Sequence, residues 1–170
     1  MKVAFLTAGG IAPCLSASIV SLIKFYNNTS VSVQFIGYLN GYKGLLKGNS
    51  INIPKNLHEY EKDIYSFGGS FIGNSRVKLS NIKDCIKNNY IKSNEIPLEV
   101  AARQLVKDKI DVLHTIGGDD TNTTAADLVE YLNKHNYKLT VVGLPKTIDN
   151  DIIPLKQTLG AYTAAEHTSI

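Results

Sequence analysis

Two short runs of this chain hold more carboxylates than an ordinary turn requires. Gly117-Gly118-Asp119-Asp120-Thr121-Asn122 sets two adjacent carboxylates, a hydroxyl and an amide behind a glycine pair, where a helical pattern begins. A helix N-terminus needs one such side chain to cap its orphan N–H groups, and Asp120, Thr121 or Asn122 would serve. The second carboxylate is then surplus, and adjacent carboxylates repel unless something positive accompanies them. Mg2+ suits the pattern, because it takes one or two carboxylates and completes its shell with water and phosphate oxygens. The second run, Pro145-Lys146-Thr147-Ile148-Asp149-Asn150-Asp151, adds a cation and two further carboxylates, Asp149 and Asp151. By itself it is also what a polar surface loop looks like. Taken together, the runs supply a metal ligand, a cation for an anionic substrate and a carboxylate to accept a proton, the parts that phosphoryl transfer requires. Gly9-Gly10, ending an apolar run ahead of a helix, offers backbone N–H groups and a positive helix end to a phosphate, although a tight turn alone would also explain it. Neither G-x-G-x-x-G nor G-x-x-x-x-G-K-[ST] occurs.

These runs need elements to hold them. Val3–Leu6, Ile110–Ile116 and Leu139–Leu144 are short apolar runs with the form of buried strands, and each ends at one of the three polar turns. Val31–Ile36 is a further strand, and Ile51-Asn52-Ile53 an exposed edge strand within a glycine-rich connection over 38–55. Helical spacing joins Leu15, Ile19, Leu22, Ile23 and Tyr26, and again Ala125, Leu128, Val129 and Leu132. Two more helices are expected around Leu79–Ile86 and from Pro97 to Val106, and a last one over 161–170. A second glycine-rich passage, 66–76, is neither regular helix nor central strand and suggests close backbone approach. Alternating strands and helices predict an α/β fold with an open, mostly parallel sheet and helices on both faces. Such sheets place ligands beyond the carboxyl ends of their strands, where the three polar turns would converge.

Composition narrows the classes. With 44% hydrophobic residues in 170, the chain can bury a core. Eighteen basic residues against fifteen acidic give +3 with no polybasic tail, which argues against a nucleic-acid partner. Two cysteines and four scattered histidines cannot build a disulfide framework or a structural zinc site. The opening apolar stretch is too short for a secretory h-region, and no run is long enough to span a membrane. The expectation is a cytoplasmic protein.

The blocks LTAGGIAPCLSASI (6–19), GYKGL (41–45), FIGNSR (71–76), GGDDTNTTA (117–125) and PKTIDND (145–151) together resemble the phosphofructokinase family, in the family's order and over nearly the whole chain. Asp at 120 and Lys at 146 resemble its pyrophosphate-dependent branch, since ATP-using members tend to carry Gly in both places. The resemblance implies a phosphofructokinase-like N-terminal domain, Mg2+ as cofactor, pyrophosphate and fructose 6-phosphate as substrates, and transfer of phosphate to O1 of the sugar. It also implies that Gly9 and Gly10 approach the donor, that Arg76 contacts the transferring phosphate, and that Asp119 associates with magnesium. Asp120 would exclude a nucleotide's α-phosphate, with Thr121 and Asn122 beside it in the substrate site. Lys146 would bind pyrophosphate, Thr147 would sit near the sugar hydroxyl, Asp149 would be the general base and Asp151 a second nearby carboxylate. Cys14 and Ser16 stand where the family's first loop often has Gly and Asn. Family members are longer than this chain, so residues 1–170 are expected to be the donor- and metal-binding portion, lacking most of the sugar-phosphate half, inactive alone and homo-oligomeric when full length. An ATP-dependent relative with a GGDGT-type motif, or a noncatalytic domain of the same fold, are the alternatives.

Overall fold

The computed structural model describes residues 1–169. Its strands are β1 (Lys2–Thr7), β2 (Gln34–Tyr38), β3 (Ser50–Ile53), β4 (Val112–Gly117), β5 (Thr140–Thr147) and β6 (Leu159–Gly160), joined in one six-stranded sheet of order β3-β2-β1-β4-β5-β6. All neighbouring pairs are parallel except β2–β3, which is antiparallel at the edge. The helices are α1 (Leu15–Asn27), α2 (Tyr42–Lys47), a 3-10 turn (Lys55–Tyr60), α3 (Glu61–Tyr65), α4 (Ile82–Lys87), α5 (Pro97–Lys107), α6 (Asp119–Lys134) and α7 (Ala161–Thr168).

Continuous apolarity in β1 reflects two cores. Ala4 and Leu6 pack into a cluster with Tyr42 and Leu45 of α2, Leu105 of α5 and Leu128 of α6. Val3 and Phe5 face the opposite way, onto Leu15, Ile19 and Ile23 of α1. Strand period 2 thus divides one run between helices on both faces, and each large side chain so buried contributes roughly 1.5–3 kcal/mol. His114 of β4 lies in the second layer, stacked on Phe5 and within 2.8 Å of the Tyr26 hydroxyl through Nε2. Burial pushes its pKa down to about 4, so it stays neutral and structural.

Several boundaries differ from the sequence expectation. The second strand begins at Gln34 rather than Val31 and continues to Tyr38. The connection after it contains α2, a helix that the interior Gly44 argues against by propensity but that Gly41 and Gly48 bound at its two ends and that buries Tyr42, Leu45 and Leu46. The last long strand does not stop before Pro145: Pro145-Lys146-Thr147 belong to β5, not to a loop. Pro145 still pairs with Gly117, and β6 takes over immediately afterwards through Lys146–Leu159 and Thr147–Gly160. The final helix runs from Ala161 to Thr168, and the expected extension to Ile170 lies outside the described residues. No helix among the described residues is long and apolar enough to cross a membrane.

Candidate active site

From β1 the chain moves outward to β2 on one side and later to β4 on the other, which opens a crevice at the carboxyl ends of β1 and β4. The pairings Thr7–Ile116 and Gly117–Pro145 level the ends of β1, β4 and β5. Beyond them lies a cavity of about 670 Å³. Gly9, Gly10, Arg76, Asp119, Asp120, Thr121, Lys146, Thr147 and Asp149 all line it, so the three polar turns do converge. Asn122 and Asp151 are absent from its wall.

The first turn is built by mutual support. Gly9 adopts a left-handed φ of +86°, its N–H donates to the Ser75 carbonyl (2.9 Å), and its own carbonyl accepts from Asn74 Nδ2 (2.7 Å). Its N–H is therefore spent on protein, contrary to the expectation that this turn presents free donors. The second glycine-rich passage is what wraps behind it. Thr7 Oγ1 donates to the Gly73 carbonyl (2.7 Å), while Ser16 Oγ donates to the Gly69 carbonyl (2.8 Å) and accepts from the Phe71 N–H (3.1 Å). Ser16 is thus a clamp between α1 and that passage.

The second turn leads straight into α6. Gly118 occupies the N-cap position, and no side chain caps the helix, so the capping role open to Asp120, Thr121 or Asn122 falls to none of them. The Asn122 amide is turned inward instead. It accepts from Thr115 Oγ1 (2.9 Å) and donates to the carbonyls of Gly117 (3.0 Å) and Gly118 (3.3 Å), which braces the turn rather than facing a ligand. Thr121 is 4% exposed, and its carbonyl accepts from the Tyr42 hydroxyl (2.7 Å). Packing here leaves no room at Gly117, where a methyl group would lie 2.6 Å from the Ala8 carbonyl oxygen and 2.6 Å from Thr121 Cβ. Gly117→Ala is expected to lower stability by about 1–3 kcal/mol, read from urea denaturation, because backbone rather than a flexible side chain must move. An unchanged midpoint would show that β4 and α6 are less rigidly joined than their packing indicates.

The end of β5, just before the third turn, carries the buried cation. Lys146 is 4% exposed and donates through Nζ to the Gly10 carbonyl, while the Arg76 guanidinium approaches the same glycine. Burial pushes the Lys146 pKa down; the neighbouring Cys14 thiol draws it partly back up, and Arg76 adds to the depression. Burial likewise raises the Cys14 thiol. An anion arriving beside Lys146 and Arg76 would relieve the repulsion between them. Farther along, Thr147 Oγ1 accepts from the Asp149 N–H (3.0 Å), and Asn150 Oδ1 accepts from the Thr158 N–H (2.8 Å), so the loop is clasped on both sides of Asp149.

Sequence reasoning missed three polar contributors to the cavity: Tyr42, Lys78 and Thr124. Tyr42 lies in the GYKGL block, whose conspicuous glycines gave no sign that the tyrosine hydroxyl supports α6. Lys78, two residues beyond Arg76, had no signal in its type or spacing; its ammonium pairs with the Asp120 carboxylate.

Comparisons with known proteins agree with this geometry. The chain is 60% identical over 165 residues to a pyrophosphate–fructose 6-phosphate 1-phosphotransferase of Propionibacterium freudenreichii subsp. shermanii, covering 97% of this chain and 41% of that enzyme. It is 35% identical to an ATP-dependent 6-phosphofructokinase of Entamoeba histolytica, over 96% of this chain and 33% of that one. The chain therefore spans about two fifths or less of the length of these curated relatives. Among solved structures, a T-state phosphofructokinase of Pichia pastoris superposes with a TM-score of 0.75 at 26% identity, over 97% of this chain and 17% of that one. The sheet order, the converging turns and a match of residues 2–169 to the phosphofructokinase family model lead to one assignment: the chain belongs to the phosphofructokinase family.

Proposed function

We propose that the full-length protein transfers phosphate from pyrophosphate to O1 of fructose 6-phosphate, giving fructose 1,6-bisphosphate and phosphate. This chain supplies the donor, metal and base residues, and most of the sugar-phosphate site belongs to a further segment of a homo-oligomeric protein. The observation that carries the reading is the meeting of Lys146 and Arg76 at Gly10, on the wall of the cavity that also takes in Asp119 and Asp149. Identity at 60% to a pyrophosphate-using relative, against 35% to an ATP-using one, supports this choice of donor.

Lys146 and Arg76 bind the two phosphates as fixed charges in a site that is partly dry, which stabilises the charge shifting between the attacked phosphorus and the leaving phosphate. Asp149 accepts the proton from the sugar's 1-hydroxyl as its oxygen bonds to phosphorus. The bond to the second phosphate breaks, and that phosphate departs with the electron pair. Asp119, on the cavity wall, would hold Mg2+. Among the described residues no group of three His, Cys, Asp or Glu forms a protein-only cage, and Mg2+ is ordinarily held by one or two carboxylates with phosphate oxygens completing its shell. When bound, the ion neutralises donor charge. Asp151, away from the cavity wall, has no part in this scheme.

The test follows pyrophosphate by phosphorus NMR with the full-length protein and Mg2+. Pyrophosphate should be consumed only when fructose 6-phosphate is present, with one phosphate appearing on the sugar for each phosphate released. Consumption without sugar, or no consumption while ATP is used, would overturn the assignment.

A further inference from the structure

Three cations line the cavity: Arg76, Lys78 and Lys146. Of these three, only Lys78 is ion-paired among the described residues, with its Nζ 2.5 Å from Asp120 Oδ2. The two partners come from different segments, Lys78 from the loop after Arg76 and Asp120 from the first turn of α6. Their side chains are 53% and 71% exposed, so the pair adds little to stability. What it changes is the availability of a cation. Arg76 and Lys146 are left for an incoming donor, whereas Lys78 already holds a carboxylate, which resembles a phosphate oxygen in charge and hydrogen-bonding capacity.

We propose that Lys78 is a latent binding residue for the third phosphate of a linear polyphosphate, and that Asp120 occupies it so that the site is cut to the length of a diphosphate. The inference rests on the pyrophosphate reading above and deepens it. Asp120 is then more than a repelling charge, because it takes up the contact that a longer donor would use. Two consequences separate this from simple repulsion. Neutralising Asp120 frees Lys78, so affinity for a triphosphate chain rises. That gain then depends on Lys78 itself, although Lys78 contributes little to such binding while Asp120 is present.

Titration calorimetry on the full-length protein tests this, with Mg2+-tripolyphosphate and Mg2+-pyrophosphate as probes. Four proteins are needed: wild type, Asp120→Asn, Lys78→Gln and the double variant. Pyrophosphate binding by each variant serves as the check that its site is folded. Asp120→Asn is expected to tighten tripolyphosphate about tenfold, the size of one charge-assisted contact, and Lys78→Gln in that background to abolish the gain. In the presence of Asp120, Lys78→Gln should shift tripolyphosphate affinity by less than about threefold. A gain that survives loss of Lys78 would overturn the masking proposal and leave the donor reading intact. Failure of wild type to bind pyrophosphate at all would overturn the donor reading and this inference with it.

Discussion

Replacing Asp149 with Ala in the full-length protein is expected to lower kcat by about 10²–10⁴-fold, with a much smaller change in donor affinity. The carboxylate lines the cavity, is exposed, and forms no ion pair among the described residues, so it is available to take a proton. Its backbone is held independently of the side chain, by the Asp149 N–H donating to Thr147 Oγ1 and by the Asn150–Thr158 clasp. The substitution should therefore remove the base without unfolding the loop. Asp149→Asn keeps the shape and loses the base, so it should fall within the same range. Steady-state kinetics with a direct donor-binding measurement decides the matter: a variant with near wild-type kcat takes Asp149 out of that role, and one that loses pyrophosphate binding makes it a binding residue instead.

How much of this was legible beforehand depended on whether the signal was local. Burial on both faces writes itself into Val3–Leu6 as unbroken apolarity, and the polar runs that follow β1 and β4 stand out against it, so the parallel sheet and the convergence of its strand ends could be read directly. Lys146 was recognised but misplaced, since a proline ordinarily marks a strand's end and nothing local announces that β6 will pair just past it. Asn122 shows the opposite failure. A polar side chain in a glycine-rich turn looks the same whether it faces a ligand or braces the turn, and only the positions of Thr115, Gly117 and Gly118 tell which. Gly9 was expected to offer its N–H, yet Ser75, sixty-six residues on, takes it. Lys78 was invisible for the same reason, as its partner Asp120 lies in a different segment of the chain. Contacts between distant segments leave no period and no spacing, and much of this site's wall is made of them.

Donor choice should respond to Asp120 and Lys146 in different ways. At about 4 Å, like unit charges repel by roughly 4 kcal/mol at an effective dielectric near 20, but the Asp120 side chain is 71% exposed and paired with Lys78, so solvent and the counter-charge remove much of that. A gain of about tenfold in kcat/KM for ATP is accordingly expected for Asp120→Gly, with pyrophosphate use changed much less. Lys146 is expected to be the stronger lever because it is 4% exposed, and its ammonium would meet an anion where water screens little. Lys146→Met keeps the length of the side chain and deletes the charge, and should lower kcat/KM for pyrophosphate by about 10²-fold, comparable to loss of one preorganised donor at a reaction centre. A nucleotide, anchored also by its base and ribose, depends less on that single charge and should lose less. Both variants therefore narrow the preference for pyrophosphate, one by admitting ATP and the other by weakening pyrophosphate. Measuring kcat/KM for both donors on wild type and the two variants separates these routes; a wild type that prefers ATP, or an Asp120→Gly variant with an unchanged ratio, would mean that donor length is set elsewhere in the protein.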